Sequence, residues 1–358
     1  MELWHQDVSS PRGIMHVARR IEADGWDGLS VVDSQNLSGD CYVALAMAAT
    51  VTERIGLGTG VTNSGTRQAA VTAMAIASVQ SVSRGRAYLG IGRGDSAMAH
   101  LGRSPTKVAQ FEQYLRHVQT YLRAEAVPFD EIDIPDHIAP PLSALHLASA
   151  PPHSQITALT GKQKVPVEVA ASGPKVIAVG AVHADRVMFT VGADTDRLAW
   201  GIELARKART EAGLDPGDIA FGAFINCASH PDKQVAHNLV RGGLTTFARF
   251  SVMHGKTSGP LKGDQEQVLN NLIHAYDMKK HTHGDSLQAE TLTPDFIDQF
   301  AIVGDADHCI ERLRSLRALG LDKVIISGIG RAGSTPESEA ANALFVREVL
   351  PAMKASKE

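Results

Sequence analysis

Gly90, Gly92 and Gly94 alternate with Ile91 and Arg93 at the end of an apolar run and lead straight into Asp95 and Ser96. Lacking Cβ atoms, these glycines let main-chain N–H groups come close to a ligand, and an acid and a hydroxyl follow where the strand opens into a loop. The pattern is not a dinucleotide fingerprint. That motif enters a helix at once and carries an acid about 20 residues on, whereas Leu101-Gly102-Arg103-Ser104-Pro105 intervenes here. Three neighbours repeat the arrangement: Leu29 to Ser34 ends in Asp33-Ser34, Ile55 to Asn63 in Gly60-Val61-Thr62-Asn63, and Val165 to Lys175 in Ala171-Ser172-Gly173-Pro174. Small and polar groups after apolar strands are expected where a site collects at the C-terminal ends of parallel strands.

The elements that position these ends alternate regularly. Strand-like segments at 3–6, 26–33, 55–61, 86–92, 165–171, 186–190, 219–226 and 323–327 are separated by helical periodicity at 11–24, 42–52, 69–82, 106–124, 175–182, 197–211, 231–250 and 307–319. A last helix at 336–353 closes the pattern. Eight such units predict an α/β fold, a TIM-like (β/α)8 barrel of one domain over 1–358, with insertion loops at the C-terminal face of the strands. Two stretches lack periodicity, the Pro-, His- and Ala-rich 126–164 and the Gly- and His-rich 253–286. Both are expected to be strand-end loops that shape the substrate pocket.

Composition excludes several classes. The chain has 358 residues, 44% of them hydrophobic, and a formal charge of -4, with no basic patch for nucleic acid. Cys41, Cys227 and Cys309 are scattered and odd in number, which reads as reduced thiols of a cytoplasmic protein. The first residues lack a signal-peptide pattern, and no run approaches about 18 apolar residues, so no membrane span is expected. His281-Thr282-His283 has no carboxylate or cysteine cluster beside it, so no metal site is expected.

The run Gly58-Thr59-Gly60-Val61-Thr62-Asn63-Ser64-Gly65-Thr66-Arg67, the segment from Ala70 to Arg86, the turn Gly90 to Asp95, the run Ala170 to Lys175 and Ile302-Val303-Gly304-Asp305 together resemble the bacterial luciferase-like superfamily. The pattern is most similar to its deazaflavin-dependent branch, which includes methylenetetrahydromethanopterin reductase. The resemblance implies coenzyme F-420, an 8-hydroxy-5-deazaflavin, bound at the C-terminal face, with FMN as the alternative. It implies a cis peptide at Gly60-Val61 under the ring, with Asp33 and Asn63 close by. Arg93, Gly94 and Asp95 would line the pocket, and Ala171, Ser172, Gly173 and Pro174 would approach the phosphate-bearing tail, where backbone donors suit a phosphate.

Departures matter as well. Sugar-phosphate dehydrogenases of the branch carry a histidine after the second-strand acid and a tryptophan further on, where this chain has Ser34 and then Leu37-Ser38, so glucose-6-phosphate chemistry is not expected. Their glutamate proton donor is replaced by Asp95, read either as an acid/base group or as a turn or helix cap. A lid carrying His254, His281 and His283 is expected over the substrate, with His283 sharing the proton chemistry, unless these are simply solvated loop histidines. His5, at the end of the first strand, is expected to point toward the site, and Arg67 to meet either the anionic tail or a surface acid. The function implied is hydride transfer between reduced deazaflavin and a small organic substrate in a cytoplasmic homodimer. Two other readings compete: an FMNH2-dependent monooxygenase supplied by a separate flavin reductase, and a non-catalytic flavin-binding protein.

Overall fold

A computed structural model of the chain describes residues 1–253, 255–328 and 335–355. Its strands among the described residues are β1 (Glu2–Asp7), β2 (Gly28–Val31), β3 (Gly56–Thr59), β4 (Thr62–Asn63), β5 (Ala87–Gly92), β6 (Val167–Ala171), β7 (Arg186–Phe189), β8 (Ala220–Ser229), β9 (Ile302–Gly304) and β10 (Lys323–Ser327). Parallel pairing runs β10-β1-β2-β3-β5-β6-β7-β8, and β8 pairs back with β10, closing the barrel. β3 and β4 are one stave broken at Gly60-Val61, so the barrel has eight staves. β9 stands outside it, on the far end of β8 at Cys227–Ser229.

Because side chains alternate along a strand, one set faces the helices and the other the barrel interior. Leu3, Leu29, Leu57, Leu89, Val167, Val187, Ile225 and Val324 belong to the outer core against the helices. Inside, Trp4, Met188, Phe224 and Ile325 form a separate cluster, with Tyr88, Ala170 and Val61 packed on it. The indole of Trp4 fits because Gly28 and Gly56 on the next two staves have no Cβ; one added at either would overlap the ring.

Charge sits in this floor too. The fully buried Lys323 donates to both oxygens of Glu168 at 2.9 Å and lies 3.3 Å from the Trp4 ring centroid and 4.4 Å from that of Tyr88. Arg186 donates to Glu168 at 2.5 Å and to Asp322 at 2.9 Å. Burial holds the Lys323 ammonium below its ordinary pKa, against the opposing pull of Glu168.

Sequence periodicity locates the strands and most helices, and the helix Ala69–Val82 has the expected bounds. Two differences are instructive. Residues 126–164 follow the helix Val108–Leu122 and precede β6, so they join a helix to a strand instead of leaving a strand's C-terminal end. Val127 bridges Ser154, and the largely exposed stretch between them holds only short 3-10 turns. The expected featureless lid instead contains the helix Gln265–Ala275, and the helix Pro294–Phe300 follows before β9. No described helix is long and apolar enough to cross a membrane.

The floor yields a stability prediction. Glu168→Gln leaves the fully buried Lys323 without its carboxylate, Arg186 keeping Asp322, and should cost about 3–5 kcal/mol in chemical denaturation. A loss below about 1 kcal/mol would give the cluster no more weight than a surface ion pair.

Candidate active site

At the C-terminal end the inward positions turn small and polar. Gln6, Gly60, Gly92, Ala170, Thr190 and Ser327 floor a cavity of about 440 Å³, within the usual range of about 300–1,000 Å³ for small-molecule sites. The Gly60-Val61 peptide is cis. Gly60 N–H donates to the Val31 carbonyl at 2.7 Å, and its carbonyl accepts from Gln6 Nε2 at 2.7 Å. A Cβ at Gly60 would collide with Ser30 Oγ, and one at Gly90 with the Thr59 carbonyl, so this close approach of staves requires both glycines.

The acids near the bulge are already engaged. Asp33, almost fully buried, accepts from Thr62 Oγ1 at 2.7 Å, Gln35 Nε2 at 2.9 Å and Arg67 Nη1 at 2.5 Å. Arg67 also donates to Asp40 at 2.8 Å and lies 5.0 Å from the Tyr42 ring, so of its two expected roles it takes the ion pair. Asn63 Oδ1 accepts from the N–H groups of Gly65 and Thr66, and its Nδ2 donates to Gln35. These bonds tie the end of β2 to the bulge.

The turn after β5 supplies the opposite sign. Gly94 adopts φ +79°, and Arg93 donates through Nε to the Thr106 carbonyl at 2.5 Å. Burial lowers the Arg93 pKa, and among the described residues no carboxylate pairs with it. The Asp95 side chain does not cap the short helix Ser96–Ala99. Its carboxylate is ion-paired with Arg249, at the end of the helix Lys233–Phe250. At the end of β6, Ser172 and Val176 line the cavity. Ala171 instead faces the outer core, and Gly173 and Pro174 begin the helix Pro174–His183 beside the cavity without lining it.

The far wall is apolar, built from Phe224, Phe247, Phe250, Met253 and Met278. Ring centroids are 6.3 Å apart for Phe224 and Phe247 and 6.0 Å for Phe247 and Phe250. Over it lies the lid. Gly242 has no Cβ, which lets the backbone of Thr282 to Gly284 rest against the helix. The lid's root is held by the buried Arg197, which donates to the carbonyls of Val191, Ser258 and Pro260 and to Ser251 Oγ at 2.8–3.0 Å. Within the lid, Tyr276 Oη lies 2.8 Å from His281 Nδ1, and the Arg249 guanidinium lies 4.6 Å from the Tyr276 ring centroid. Burial, followed by the charges of Arg249, His100 and His283, pushes the His281 pKa down to about 4.

Several expected residues stand elsewhere. His5 is fully buried but faces outward, 5.2 Å from the Trp26 ring; strand parity sends Trp4 and Gln6 inward instead. His283 reaches the cavity only at its rim, with its side chain 60% exposed beside Asp285. His254 lies outside the described residues. None of 126–164 lines the cavity, since that segment belongs to a helix-to-strand connection. Arg249 and Tyr276 were not singled out from the sequence, where neither sits in a motif; Gln6 was legible by parity from the first strand alone.

A parallel barrel broken by a cis peptide at its third stave, with its cavity at the strand C-termini, defines a class, and the chain belongs to it: the luciferase-like monooxygenase family, whose profile matches residues 3–323. It is accordingly an enzyme. It is 27% identical over 350 residues to 5,10-methylenetetrahydromethanopterin reductase of Methanolobus tindarius, covering 94% of this chain and 95% of that one. It is 32% identical over 288 residues to the phthiodiolone/phenolphthiodiolone dimycocerosates ketoreductase of Mycobacterium tuberculosis, covering 76% and 69%. Among solved structures, coenzyme F-420-dependent tetrahydromethanopterin reductase from Methanopyrus kandleri superposes with a TM-score of 0.72 at 20% identity, covering 98% of each chain.

Two outcomes follow. Gly60→Val must push Ser30 aside and draw the bulge carbonyl from Gln6, so cofactor affinity should fall at least about tenfold with the circular dichroism spectrum unchanged; unaltered affinity would detach the bulge from binding. His281 stays neutral in the folded protein down to about pH 4, whereas in the unfolded chain it takes up a proton near pH 6.5. The unfolded state therefore binds more protons between these values, and stability falls as the pH drops through that window. His281→Gln should flatten that part of a thermal-denaturation series, and an unchanged slope would place the ring in water.

Proposed function

We propose that the protein is a coenzyme F-420-dependent oxidoreductase acting by hydride transfer on a small organic substrate, with the cofactor ring on the Gly60-Val61 bulge. The observation that carries this reading is the charge balance of the cavity. Asp33 and Asp95 are both paired with arginines, while Arg93 is a half-buried cation that no carboxylate among the described residues pairs with. A desolvated charge lacking a partner is unfavourable, so the cavity is set to receive an anion such as a phosphate. The N-terminus of the helix Pro174–His183 adds backbone donors on the next stave. The resemblance of nearly the whole chain to reductases supports the deazaflavin over FMN.

When bound, the reduced deazaflavin supplies a hydride from C5. The protein's own groups do the rest. Gln6 fixes the bulge carbonyl, the Asp33, Thr62 and Asn63 bonds hold its flank, and the three phenylalanines keep water from the opposite side. Asp95, read from the sequence either as an acid/base group or as a turn or helix cap, has its carboxylate on Arg249 and orients that guanidinium. His283 guards the rim.

The reading includes a cytoplasmic homodimer. The free buried cysteines fit a reducing compartment. The helices Cys41–Ala49 and Ala69–Val82 are largely apolar yet expose Val43, Val71, Met74 and Val82, as expected of helices covered by a second copy.

Fluorescence titration of the purified protein with coenzyme F-420 and with FMN tests the assignment. The deazaflavin should bind more tightly and pass its hydride equally well without oxygen. Arg93→Gln should raise its Kd about 10- to 100-fold, the value of one charge-assisted contact. FMN binding at least as tight, with substrate-dependent oxygen consumption, would replace the reductase reading by that of a monooxygenase fed by a separate flavin reductase.

A further inference from the structure

Taking the cavity as the hydride-transfer site just described, we infer that His281 donates its Nε2–H to the carbonyl oxygen of a ketone with an apolar body, and that Tyr276 is the residue that positions it. The far wall offers Phe224, Phe247, Phe250, Met253 and Met278, which suit a hydrocarbon body and leave a substrate's many polar atoms unsatisfied. The lid brings His281 to the edge of that wall, with Nδ1 turned away from the cavity and toward Tyr276 Oη at 2.8 Å.

The direction of that bond fixes the tautomer. A neutral imidazole has one donor nitrogen and one acceptor. The Arg249 guanidinium, 4.6 Å from the Tyr276 ring centroid, makes the phenol a better donor and a poorer acceptor, so Tyr276 donates to Nδ1 and the ring proton resides on Nε2. Arg249 is itself held by Asp95. Four residues from three segments thus present one N–H to the cavity. The downward shift of the His281 pKa keeps the ring neutral, and so limited to a single acceptor nitrogen, at ordinary pH.

The step balances. A hydride from the reduced deazaflavin forms the new C–H bond, the deazaflavin is oxidised by two electrons, and the carbonyl π pair moves onto oxygen. That oxygen takes the Nε2 proton. The Tyr276 phenol proton moves to Nδ1, leaving the ring neutral and the phenolate facing Arg249; solvent returns one proton to the phenolate while the proton that the oxidised deazaflavin sheds goes to solvent, so no net hydroxide forms. Once the alcohol leaves, proton exchange with solvent restores the Nε2–H ring and the Tyr276 phenol. The ketone gains one hydride and one proton and becomes a secondary alcohol. Positioned acid catalysis of this kind contributes about 100- to 10,000-fold.

Nitrogen-15 NMR of histidine-labelled protein, with His281 assigned by comparison with His281→Gln, reads the geometry without turnover. The expected signal is a neutral Nε2–H ring that stays unprotonated until about pH 4 and loses this tautomer preference in Tyr276→Phe. An Nδ1–H ring, or one protonated at pH 6, overturns the inference. On protein saturated with reduced coenzyme F-420, acetone, cyclohexanone and acetophenone are then offered as hydride acceptors. At least one should react. His281→Leu should lower kcat at least about 100-fold, His281→Gln should recover part of the loss through its amide N–H, and cofactor Kd should be the same in both. Full turnover by His281→Leu, or reaction with none of the three ketones, overturns the inference. Failure of the deazaflavin to bind at all is read separately in the titration and strikes the cofactor assignment.

Discussion

The rest of the structure depends on an indole lying inside a ring of strands. Trp4 pairs in register with Gly28, and Gly56 follows on the next stave, so two missing side chains define the space that one large ring fills. A one-residue slip of β1 would send Trp4 outward and His5 into the barrel, exchanging a flat hydrocarbon for a polar ring. Lys323 lies over the indole and bonds Glu168, joining β1, β6 and the last stave, β10, across the interior. The N-terminal end is thereby filled, and the empty volume is confined to the other end. There the same inward positions carry Gln6, Gly60, Gly92 and Thr190, none large enough to fill the space. The cavity is the complement of a crowded floor.

Much of this was legible in the residues. The strand ends at Asp33, Gly60, Gly94 and Ser172 announce themselves through glycine and small polar spacing, and each stands at the cavity. What the sequence withheld was of two kinds. Periodicity finds an element without saying which end of the barrel a connection occupies, so 126–164 was read as a strand-end loop when it follows a helix. His5 shows a related loss: the sequence puts it at the end of the first strand facing the site, whereas β1 runs on to Asp7 and the parity that turns Trp4 inward turns His5 outward. The other kind concerns partners distant in sequence. Arg249 and Asp95 are more than 150 residues apart, and only the folded chain makes an ion pair of them. Tyr276 and His281 are near neighbours, yet their bond depends on a lid helix, Gln265–Ala275, whose short apolar spacing at Val268, Leu269 and Leu272 is easily lost in a Gly- and His-rich segment.

Arginine does contrasting work around the cavity. Arg67 and Arg249 neutralise the two carboxylates that line it, and each also lies against a tyrosine ring, so their charge is spent before any ligand arrives. Among the described residues Arg93 pairs with a carbonyl alone, which satisfies a donor without cancelling the charge. Three residues of one type therefore give two structural ties and one open valence. A count of the charged residues that line the cavity, Asp33 and Asp95 against Arg93 and Lys279, would assign it no net preference for sign. The pairing assigns it one.

The bonds of Arg197 have a consequence for how such an enzyme diversifies. They anchor Ser251, Ser258 and Pro260 to the barrel wall, and the fully buried Ser286, which accepts from Ala289 N–H and donates to the His283 carbonyl, closes the segment at its other end. Between these anchors lies the stretch that brings Met278, Lys279 and His281 over the cavity. Its two ends are fixed by contacts that involve neither the bulge nor the β5 turn. Residues 261–285 are held at both ends and, through Val268, Leu269 and Leu272, in the core itself, so a change confined to Met278, Lys279 and Thr282 would alter one wall of the cavity without touching Asp33, Gly60 or Arg93 on the other.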